Sequence, residues 1–314
     1  MDLIDFSDCE RNDYRAYGGA NGNKISIFYQ GHGYMLKFPP KPGKIADLSY
    51  VNSHITEYLA CHVFQSMGMD AQETLLGTYT DQSGNTSNVV ACRDFAADIG
   101  KTLIEFAHLK NTCLDDDLNG YNTDLNSIMN AIDEQRLIVP DRLRSFFWRQ
   151  FIGDALLANF DRHNGNWGIL VDEVNKHADI APVYDCGSCL FPQVTEDRME
   201  KVLNRPYEID DRVRLFPKST LMINRARINY YDYITSIDNA ECDAALAYMS
   251  GRINMDKIGR IIAETPGLSE VQRQFYYTMI YARKTGIIDR AMDLLEHKGR
   301  CVGTLIYRCY DTSP

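Results

Sequence analysis

The amino-acid sequence predicts an α+β fold with a small, mixed, β-rich N-terminal lobe and a larger, mainly helical C-terminal lobe. Three observations support this prediction. The first ninety or so of the 314 residues contain short apolar runs around one helical segment. From Asp98 onward, apolar residues recur at helical spacing. Apolar residues make up 45% of the chain, enough for a substantial core. We therefore predict an N-terminal lobe of residues 1–95 and a C-terminal lobe of residues 96–314.

The predicted N-terminal lobe has four strands and one helix. Lys24–Tyr29 and Tyr34–Phe38 are β-type runs, and the glycine-containing segment between them predicts a hairpin. From Ser49 to Met67 an apolar residue recurs on one helical face, and Gly68 predicts the end of this helix. The two remaining strands are joined by a polar turn and are Glu73–Tyr79 and Asn88–Cys92.

The predicted C-terminal lobe begins with helices and contains two short strands. Asp141–Ala158 is the clearest helix, because apolar residues follow its full length. Ile169–Val171 and Ile180–Tyr184 are short strands on either side of an acidic turn. Four further helices are predicted, at residues 229–248, 254–264, 269–284 and 286–298.

The composition excludes several classes of protein. Lys and Arg total 33 against 43 Asp and Glu, a formal charge of −10, which argues against general binding of nucleic acid or anionic membranes. No apolar run reaches the eighteen or so residues of a membrane span, and the N-terminus lacks the pattern of a signal peptide. The nine cysteines have no regular framework, which is typical of reduced thiols in a cytoplasmic protein.

Cys186 and Cys189 form a Cys-x-x-Cys pair, which is typical of a redox motif or of half a zinc site. No second pair has this spacing, and a structural zinc ion takes four such ligands. We interpret the two cysteines as small residues in a tight turn.

The segment that follows the Asp141–Ala158 helix carries the clearest chemical pattern. Asp161 lies five residues before Asn166, the spacing between the base and the metal-binding Asn of a kinase catalytic loop. Asp185 begins an Asp-Cys-Gly turn, where a kinase places the Asp that holds Mg²⁺. Together these oxygen-bearing residues predict a site for phosphoryl transfer, with Asn166 and Asp185 as ligands of a hard cation.

Two features of the N-terminal lobe fit the same chemistry. Lys37 lies inside an apolar strand and Glu57 falls on the following helix, as in kinases that use a Glu to hold a Lys against the nucleotide phosphates. Taken alone, each is also typical of a solvated residue. A glycine-rich segment before the first firm strand allows backbone N–H groups to approach phosphate, although such clusters are also ordinary turns; its residues are Gly18, Gly19, Ala20, Asn21, Gly22 and Asn23.

Three further residues lie within the loop. His163 is a second candidate base, and we interpret it as a residue that orients Asp161 or the Asp185 turn. Arg162 either neutralises phosphate or pairs with a surface carboxylate, and Asn159 is either structural or bonded within the loop.

The segment Asn159–Asn166, followed by Pro182–Asp185, resembles the catalytic core of HipA-like Ser/Thr kinases, and the chain is most similar to their short, stand-alone CtkA-type members. The resemblance covers roughly residues 15 to 300. Its other parts are the phosphate loop Gly19–Lys24, the strand Met35–Phe38, the helix Glu57–Gly68, the hinge Val89–Phe95 and the segment Met222–Tyr233.

This resemblance implies a two-lobed protein-kinase-like fold and an ATP- and Mg²⁺-dependent kinase that phosphorylates Ser or Thr of a protein substrate and itself. Asp161, Lys37 and His163 are then the catalytic residues. The adenine contacts implied at the hinge are Ala91, Cys92, Arg93 and Phe95.

The chain also departs from the longer toxin kinases. It has no room for their extra N-terminal subdomain, so an antitoxin partner stays an open question. It has Tyr17-Gly18 where they carry a regulatory Ser. The candidate acceptors for self-labelling are Tyr14, Tyr17, Ser26, Ser188 and Thr195.

Two alternatives remain at this stage. The segment Asp161–Asn166 also resembles the catalytic loop of phosphatidylinositol kinases, which predicts a lipid or small-molecule acceptor. The residues that follow the Asp185 turn have balanced charges, which favours a protein acceptor. The second alternative is a pseudokinase that binds nucleotide as a scaffold, although the residues needed for catalysis are present.

Overall fold

The computed structural model describes residues 3–12, 24–39, 50–114 and 118–298. The predicted phosphate loop, Gly18–Asn23, lies outside the described residues, as do Tyr14 and Tyr17. Within the described part, a mixed sheet with one helix precedes a mainly helical region, as predicted. No helix in these ranges has the length and apolar content that crossing a membrane requires.

The N-terminal region is built on a five-stranded sheet with the strand order β1-β4-β5-β3-β2. All neighbours are antiparallel except β1 and β4, which run parallel. The four predicted strands are confirmed, and the short edge strand β1 is an addition. The strands are β1 (Ile4–Asp5), β2 (Lys24–Tyr29), β3 (His32–Lys37), β4 (Thr74–Thr80) and β5 (Thr86–Arg93).

The predicted hairpin joins β2 to β3 through Gln30 and Gly31. Both residues have positive φ, 49° and 81°, the conformation of two-residue turns whose twist matches that of the flanking strands. Because the turn is this short, β3 begins at His32, two residues earlier than predicted. It ends at Lys37, which pairs with Lys24 at the open end of the hairpin.

Helix α1 (Ser53–Ser66) packs on this sheet and on the C-terminal region. Gly68 follows it with φ of 78°, a left-handed conformation that favours glycine and ends the helix as predicted. Phe64 of α1 contacts Gly153, where an added Cβ would lie 2.2 Å from the ring. A side chain at position 153 would therefore push α1 away from the C-terminal core.

A second sheet has three antiparallel strands in the order β6-β7-β8, namely β6 (Thr102–Glu105), β7 (Gly168–Asp172) and β8 (His177–Ile180). The predicted strand Ile180–Tyr184 is therefore wrong in its bounds, because β8 ends at Ile180. The chain leaves the sheet after Ile180, and Val183 forms an isolated parallel bridge with Ala71. This exit carries the Asp185 turn beneath α1.

The C-terminal region is mainly helical, and most of the buried apolar residues pack here in one core that also includes α1. A β-hairpin of β9 (Lys218–Ile223) and β10 (Ala226–Asn229) interrupts the helices. The helices are α2 (Phe106–Cys113), α3 (Leu125–Glu134), α4 (Pro140–Leu156), α5 (Glu196–Leu203), α6 (Pro206–Arg214), α7 (Tyr230–Ser236), α8 (Ala240–Ser250), α9 (Met255–Glu264) and α10 (Glu270–Arg283).

Two predicted helix boundaries are wrong. Residues 229–248 form two helices, because Ile237 has a φ of 53° and Asn239 caps the next helix through a bond from the Cys242 N–H. Conversely, α10 does not end near residue 285. It continues through a π-helical segment, Lys284–Asp289, into residues 290–298. Gly286 lies in that segment, and a Cβ there would meet Val213 at 2.6 Å, so the glycine allows close packing against α6.

Candidate active site

A cleft of about 710 Å³ separates the N-terminal sheet from the helical region. Its walls come from β3, α1, β5, the loop after α4 and the turn after β8. Most of the residues predicted from the sequence line it: Lys37, Glu57, Cys92, Arg93, Phe95, Asp161, His163, Asn166 and Asp185.

Ala91 is the exception among the described candidates. Successive residues of a strand face opposite sides of the sheet, so Val90 and Cys92 face the cleft while Ala91 faces away. Ala91 packs with Phe6 and Leu36 in a separate apolar cluster, and its side chain does not line the cleft.

Lys37 joins three elements at the cleft. Its Nζ donates to Glu57 Oε2 at 2.9 Å and to Asp185 Oδ1 at 2.8 Å. The other oxygen of Glu57 accepts from the backbone N–H of Cys186 at 2.8 Å. Glu57 therefore holds both the lysine from β3 and the turn that presents Asp185. Only 1% of its side chain is exposed, against 44% for Asp185.

The charges in this group bias each other's protonation. Burial lowers the pKa of Lys37, but the carboxylates of Asp185 and Glu57 outweigh it and hold the pKa well above its ordinary value. The positive charge of Lys37 in turn lowers the pKa of Asp185 to about 2, against the effect of burial. Lys37 stays a cation and Asp185 an anion at neutral pH, as binding of phosphate and metal requires.

The loop after α4 presents Asp161 and Asn166 together. The Asp161 N–H donates to Asn159 Oδ1 at 3.0 Å, and the side-chain N–H of Asn166 donates to the Asp161 carbonyl at 2.8 Å. The second bond uses the amide nitrogen of Asn166, so its oxygen is the atom that suits a cation. Burial raises the pKa of Asp161, while the nearby His163 opposes this effect.

His163 contributes to the shape of the loop through backbone contacts. Its N–H donates to the Asp161 carbonyl at 2.9 Å, and its Nδ1 accepts from the Gly165 N–H at 3.0 Å. The ring lies beside that of Tyr121, with 6.2 Å between centroids. The orienting role of this residue stays a prediction.

Arg162 takes neither of the two roles considered from the sequence. It is buried, and its guanidinium donates to both oxygens of Asp154 at 3.1 and 3.2 Å. It also donates to the carbonyls of Asn166, at 2.7 Å, and Tyr184. The carboxylate it pairs with is in the core, and the two carbonyls belong to the loop and to the residue before Asp185. Arg162 therefore ties these two segments together.

Several supporting residues were missed from the sequence. Asp154 also accepts from Asn159 Nδ2 at 2.8 Å, the Tyr230 hydroxyl donates to the Asn159 carbonyl at 2.7 Å, and the Thr220 hydroxyl donates to the Arg162 carbonyl at 2.7 Å. The signal for Asp154 was an acidic residue on the apolar side of α4. Neither Thr220 nor Tyr230 has such a signal, because both reach the loop from distant segments.

The rear of the cleft is more apolar. Met35, Val90 and Leu103 line it, and the rings of Phe95 and Tyr184 lie 5.8 Å apart. The connection between the sheets is fixed by Gln72, whose side-chain N–H donates to the Arg93 carbonyl at 2.9 Å. The Arg93 guanidinium is held by Glu73 and Asp98, both at 2.7 Å.

Comparison with known proteins identifies the family. No protein-family model matches the chain. The serine/threonine-protein kinase CtkA of Helicobacter pylori strain J99 is 47% identical over 304 residues, which cover 95% of this chain and 92% of that protein. The crystal structure of a Helicobacter pylori proinflammatory kinase, CtkA, matches with a TM-score of 0.86 and 46% identity, over 93% of this chain and 98% of that one.

A more distant structure shares the fold. HipA of Shewanella oneidensis MR-1, solved with HipB and operator DNA, matches with a TM-score of 0.53 at 13% identity, over 88% of this chain and 68% of that chain. Both similarities agree with the observed fold. The chain therefore belongs to the HipA-like serine/threonine-protein kinases and, within them, to the CtkA type.

Proposed function

We propose that this protein transfers the γ-phosphoryl group of ATP to a Ser or Thr hydroxyl of a protein substrate, with Mg²⁺ as the metal. The observation that carries the proposal is the pair of bonds from Lys37 Nζ to Glu57 and Asp185, in the same cleft as Asp161 and Asn166. This arrangement presents a cation, two candidate metal ligands and a carboxylate base to one space.

The residues present fit Mg²⁺. Asp185 offers a partly exposed carboxylate with a lowered pKa, and Asn166 offers an amide oxygen, both ligand types that hard cations prefer. When bound, Mg²⁺ would neutralise charge on the nucleotide phosphates. Lys37 would hold the phosphate chain, and Glu57 would keep Lys37 in place.

Asp161 would orient the acceptor hydroxyl and accept its proton. Its backbone is held by Asn159 and Asn166, and burial raises its pKa, which makes the carboxylate a better base than one in water. His163 would keep the loop in this conformation. Because the transition state of phosphoryl transfer is loose, positioning and charge would supply most of the acceleration.

The N-terminal lobe would hold the rest of the nucleotide. Lys24, the first residue of β2, lines the cleft, and its charge contributes to the lowered pKa of Asp185. The segment Gly18–Asn23 directly precedes Lys24 in the sequence, which supports its proposed contact with the phosphates. Adenine would lie at the apolar rear, near Cys92, Arg93 and Phe95. With this assignment, the boundary between the lobes would lie at residue 95, and the hinge would follow the end of β5 at Arg93.

A protein acceptor is favoured over an anionic lipid. Of the basic residues that follow the Asp185 turn, Arg198 and Arg205 both pair with Glu208, at 2.6 and 3.1 Å. Arg212 shares the same carboxylate, so these pairs alone do not cancel the basic charge. The argument rests on the sequence of this segment, in which three basic residues face three acidic ones: Arg198, Lys201 and Arg205 against Glu196, Asp197 and Glu200. Self-labelling would fall on Ser188, which is half-buried and lines the cleft, or on the half-buried Thr195, before Ser26, which is 5% exposed within β2.

The test uses purified protein with labelled ATP and Mg²⁺, alone, with candidate proteins and with phosphoinositide vesicles. We expect self-labelling on Ser or Thr, and we expect Asp161→Asn to lower turnover about 10²- to 10⁴-fold while ATP still binds. Nucleotide binding is measured by calorimetry and labelled sites by phosphopeptide mapping.

Three results would contradict the proposal in different ways. Labelled lipid without labelled protein would favour the lipid-kinase alternative. Nucleotide binding without any transfer would identify a pseudokinase. Near-normal turnover in Asp161→Asn would move the base elsewhere, with His163 as the first candidate.

A further inference from the structure

Three buried cysteines lie directly behind the group that holds Lys37. Cys61 is on α1, one helical turn after Glu57, and Cys186 and Cys189 follow Asp185. All three are 0% exposed and carry free thiols. The sequence shows only the Cys186–Cys189 spacing, and the fold adds Cys61 from the other lobe.

Cys186 is at the centre of this cluster. The sulfurs of Cys61 and Cys186 and a carboxylate oxygen of Glu57 lie within 4.8 Å of one another. Arg162 Nη2 lies 3.3 Å from Cys186 Sγ, on the side of the catalytic loop. Cys186 therefore lies between the Cys61 sulfur on α1 and the Arg162 guanidinium of the catalytic loop.

We infer that Cys61 and Cys186 are an oxidisable dithiol whose disulfide joins α1 to the Asp185 turn. The oxidant is hydrogen peroxide. One sulfur attacks the peroxide, the O–O bond breaks, and a sulfenic acid and one water form. The second thiol then attacks the sulfenic sulfur and releases another water. Overall, the two thiols lose two electrons and two protons, and the peroxide becomes two waters.

We assign Cys61 as the partner of Cys186 because their sulfurs lie within 4.8 Å of each other, and their bond would affect stability more than a bond to Cys189. A Cys186–Cys189 bond would close a loop of four residues within one turn, which is already closed by the Cys189 N–H donating to the Cys186 carbonyl at 3.0 Å. A Cys61–Cys186 bond closes a loop of more than a hundred residues and so restricts the unfolded chain far more. It would also cross-link α1 to the Asp185 turn.

The disulfide would preserve the contacts already present. Glu57 has its oxygens on Lys37 and on the Cys186 N–H, so a metal ion bound by Glu57, Cys61 and Cys186 would have to compete with both bonds. A disulfide leaves both in place and fixes Glu57 and Asp185 relative to each other. Resting on the proposed function, the oxidised kinase keeps its turnover at temperatures where the reduced kinase loses it.

The first experiment identifies the bond in the full chain. The protein is treated with hydrogen peroxide, alkylated under denaturing conditions, digested without reductant and analysed by mass spectrometry. We expect one cross-linked pair of peptides containing Cys61 and Cys186, lost on treatment with dithiothreitol. A Cys186–Cys189 bond, sulfinic or sulfonic acids alone, or three fully alkylated thiols would each overturn the inference.

The second experiment measures the link between lobes. Oxidation should raise the Tm of the wild-type protein by about 5 °C or more. Cys61→Ser should abolish this shift, whereas Cys242→Ser, at a buried thiol in α8, should retain it. An unchanged Tm in a cross-linked protein would overturn the inference that the bond stabilises the lobes.

Protection of the three thiols by added Zn²⁺, with no cross-link after peroxide, would assign the cluster to metal binding instead. Because the cross-link is detected without an activity assay, an inactive but cross-linked protein would contradict only the proposed function.

Discussion

Two clusters of charged residues lie beside the cleft, and they differ in what their charged atoms face. In the cleft cluster, Lys37 bonds to Glu57 and Asp185, and the Asp185 side chain is 44% exposed. In the loop cluster, Arg162 bonds to Asp154, and their side chains are 7% and 2% exposed. The first cluster presents charge to a ligand, while the second directs its charge at the protein.

The difference shows that paired charges serve two purposes in this protein: one cluster is available to bind a ligand, and the other supports the fold around it. The guanidinium of Arg162 contacts Asp154 and the carbonyls of Asn166 and Tyr184, so it fixes the segments that carry Asn166 and Asp185. The cleft cluster then uses those segments for binding. We therefore expect damage to the cleft cluster to reduce turnover in a folded protein, and damage to the loop cluster to reduce stability first.

In the cleft cluster, the largest expected effect is that of Asp185→Ala on turnover. The change should lower kcat/KM on the order of 10³-fold, about 4 kcal/mol, because a metal clamp on phosphate is worth several kcal/mol. Mg²⁺-dependent ATP binding should weaken more than Mg²⁺-free binding, as measured by calorimetry. Asp197→Ala, at an exposed position on α5, is the matched control. Equal weakening with and without Mg²⁺ would refute the metal role of Asp185.

Asp154→Ala should act on stability instead. The change removes the carboxylate that pairs with the buried charge of Arg162, so the free energy of unfolding should fall by about 3–5 kcal/mol in urea denaturation. The double change Asp154→Ala with Arg162→Met should recover part of this loss, because no unpaired charge remains. A loss below about 1 kcal/mol in Asp154→Ala would mean that the loop cluster does not support the fold as described.

Lys37 and Glu57 should behave as a unit in a double-mutant cycle of kcat/KM. Either single change to Ala removes the same contact between Lys37 and phosphate, so the double variant should lose less than the two singles combined. We expect a coupling of about 1–3 kcal/mol. Strictly additive losses would mean that the two residues act independently and that the role of Glu57 is to accept the hydrogen bond from the Cys186 N–H.

The smallest effect is expected at Arg283, which sharpens the comparison as a third buried cation. It is 0% exposed, and it donates to the carbonyls of Ala155, at 2.7 Å, and Arg212, near the ends of α4 and α6. Burial lowers its pKa to about 10. Arg283→Met loses these bonds but leaves no carboxylate of the described residues stranded, so unfolding should become easier by only about 1–2 kcal/mol. A loss as large as that of Asp154→Ala would contradict this reasoning.

Local patterns carried much of the fold. The strands Lys24–Tyr29 and Glu73–Tyr79 and the helix Asp141–Ala158 were predictable because alternation and helical spacing are local properties. The errors occurred where packing decides. Ile237 ends a helix in a left-handed conformation that isoleucine rarely adopts, so the sequence does not predict the break. Gly286 lies inside a continuous helix, although a glycine is more typical of a helix end.

For the site, the sequence by itself determined the residue types and their spacing along the chain. The five-residue interval from Asp161 to Asn166 and the Asp185 turn were readable because one loop and one turn hold them. Only the tertiary structure decided that Arg162 pairs with Asp154, that Ala91 faces away from the cleft, and that Cys61 meets Cys186. The physical reason is that such contacts depend on the relative placement of distant elements, which is set by the packing of the whole core and has no local signature.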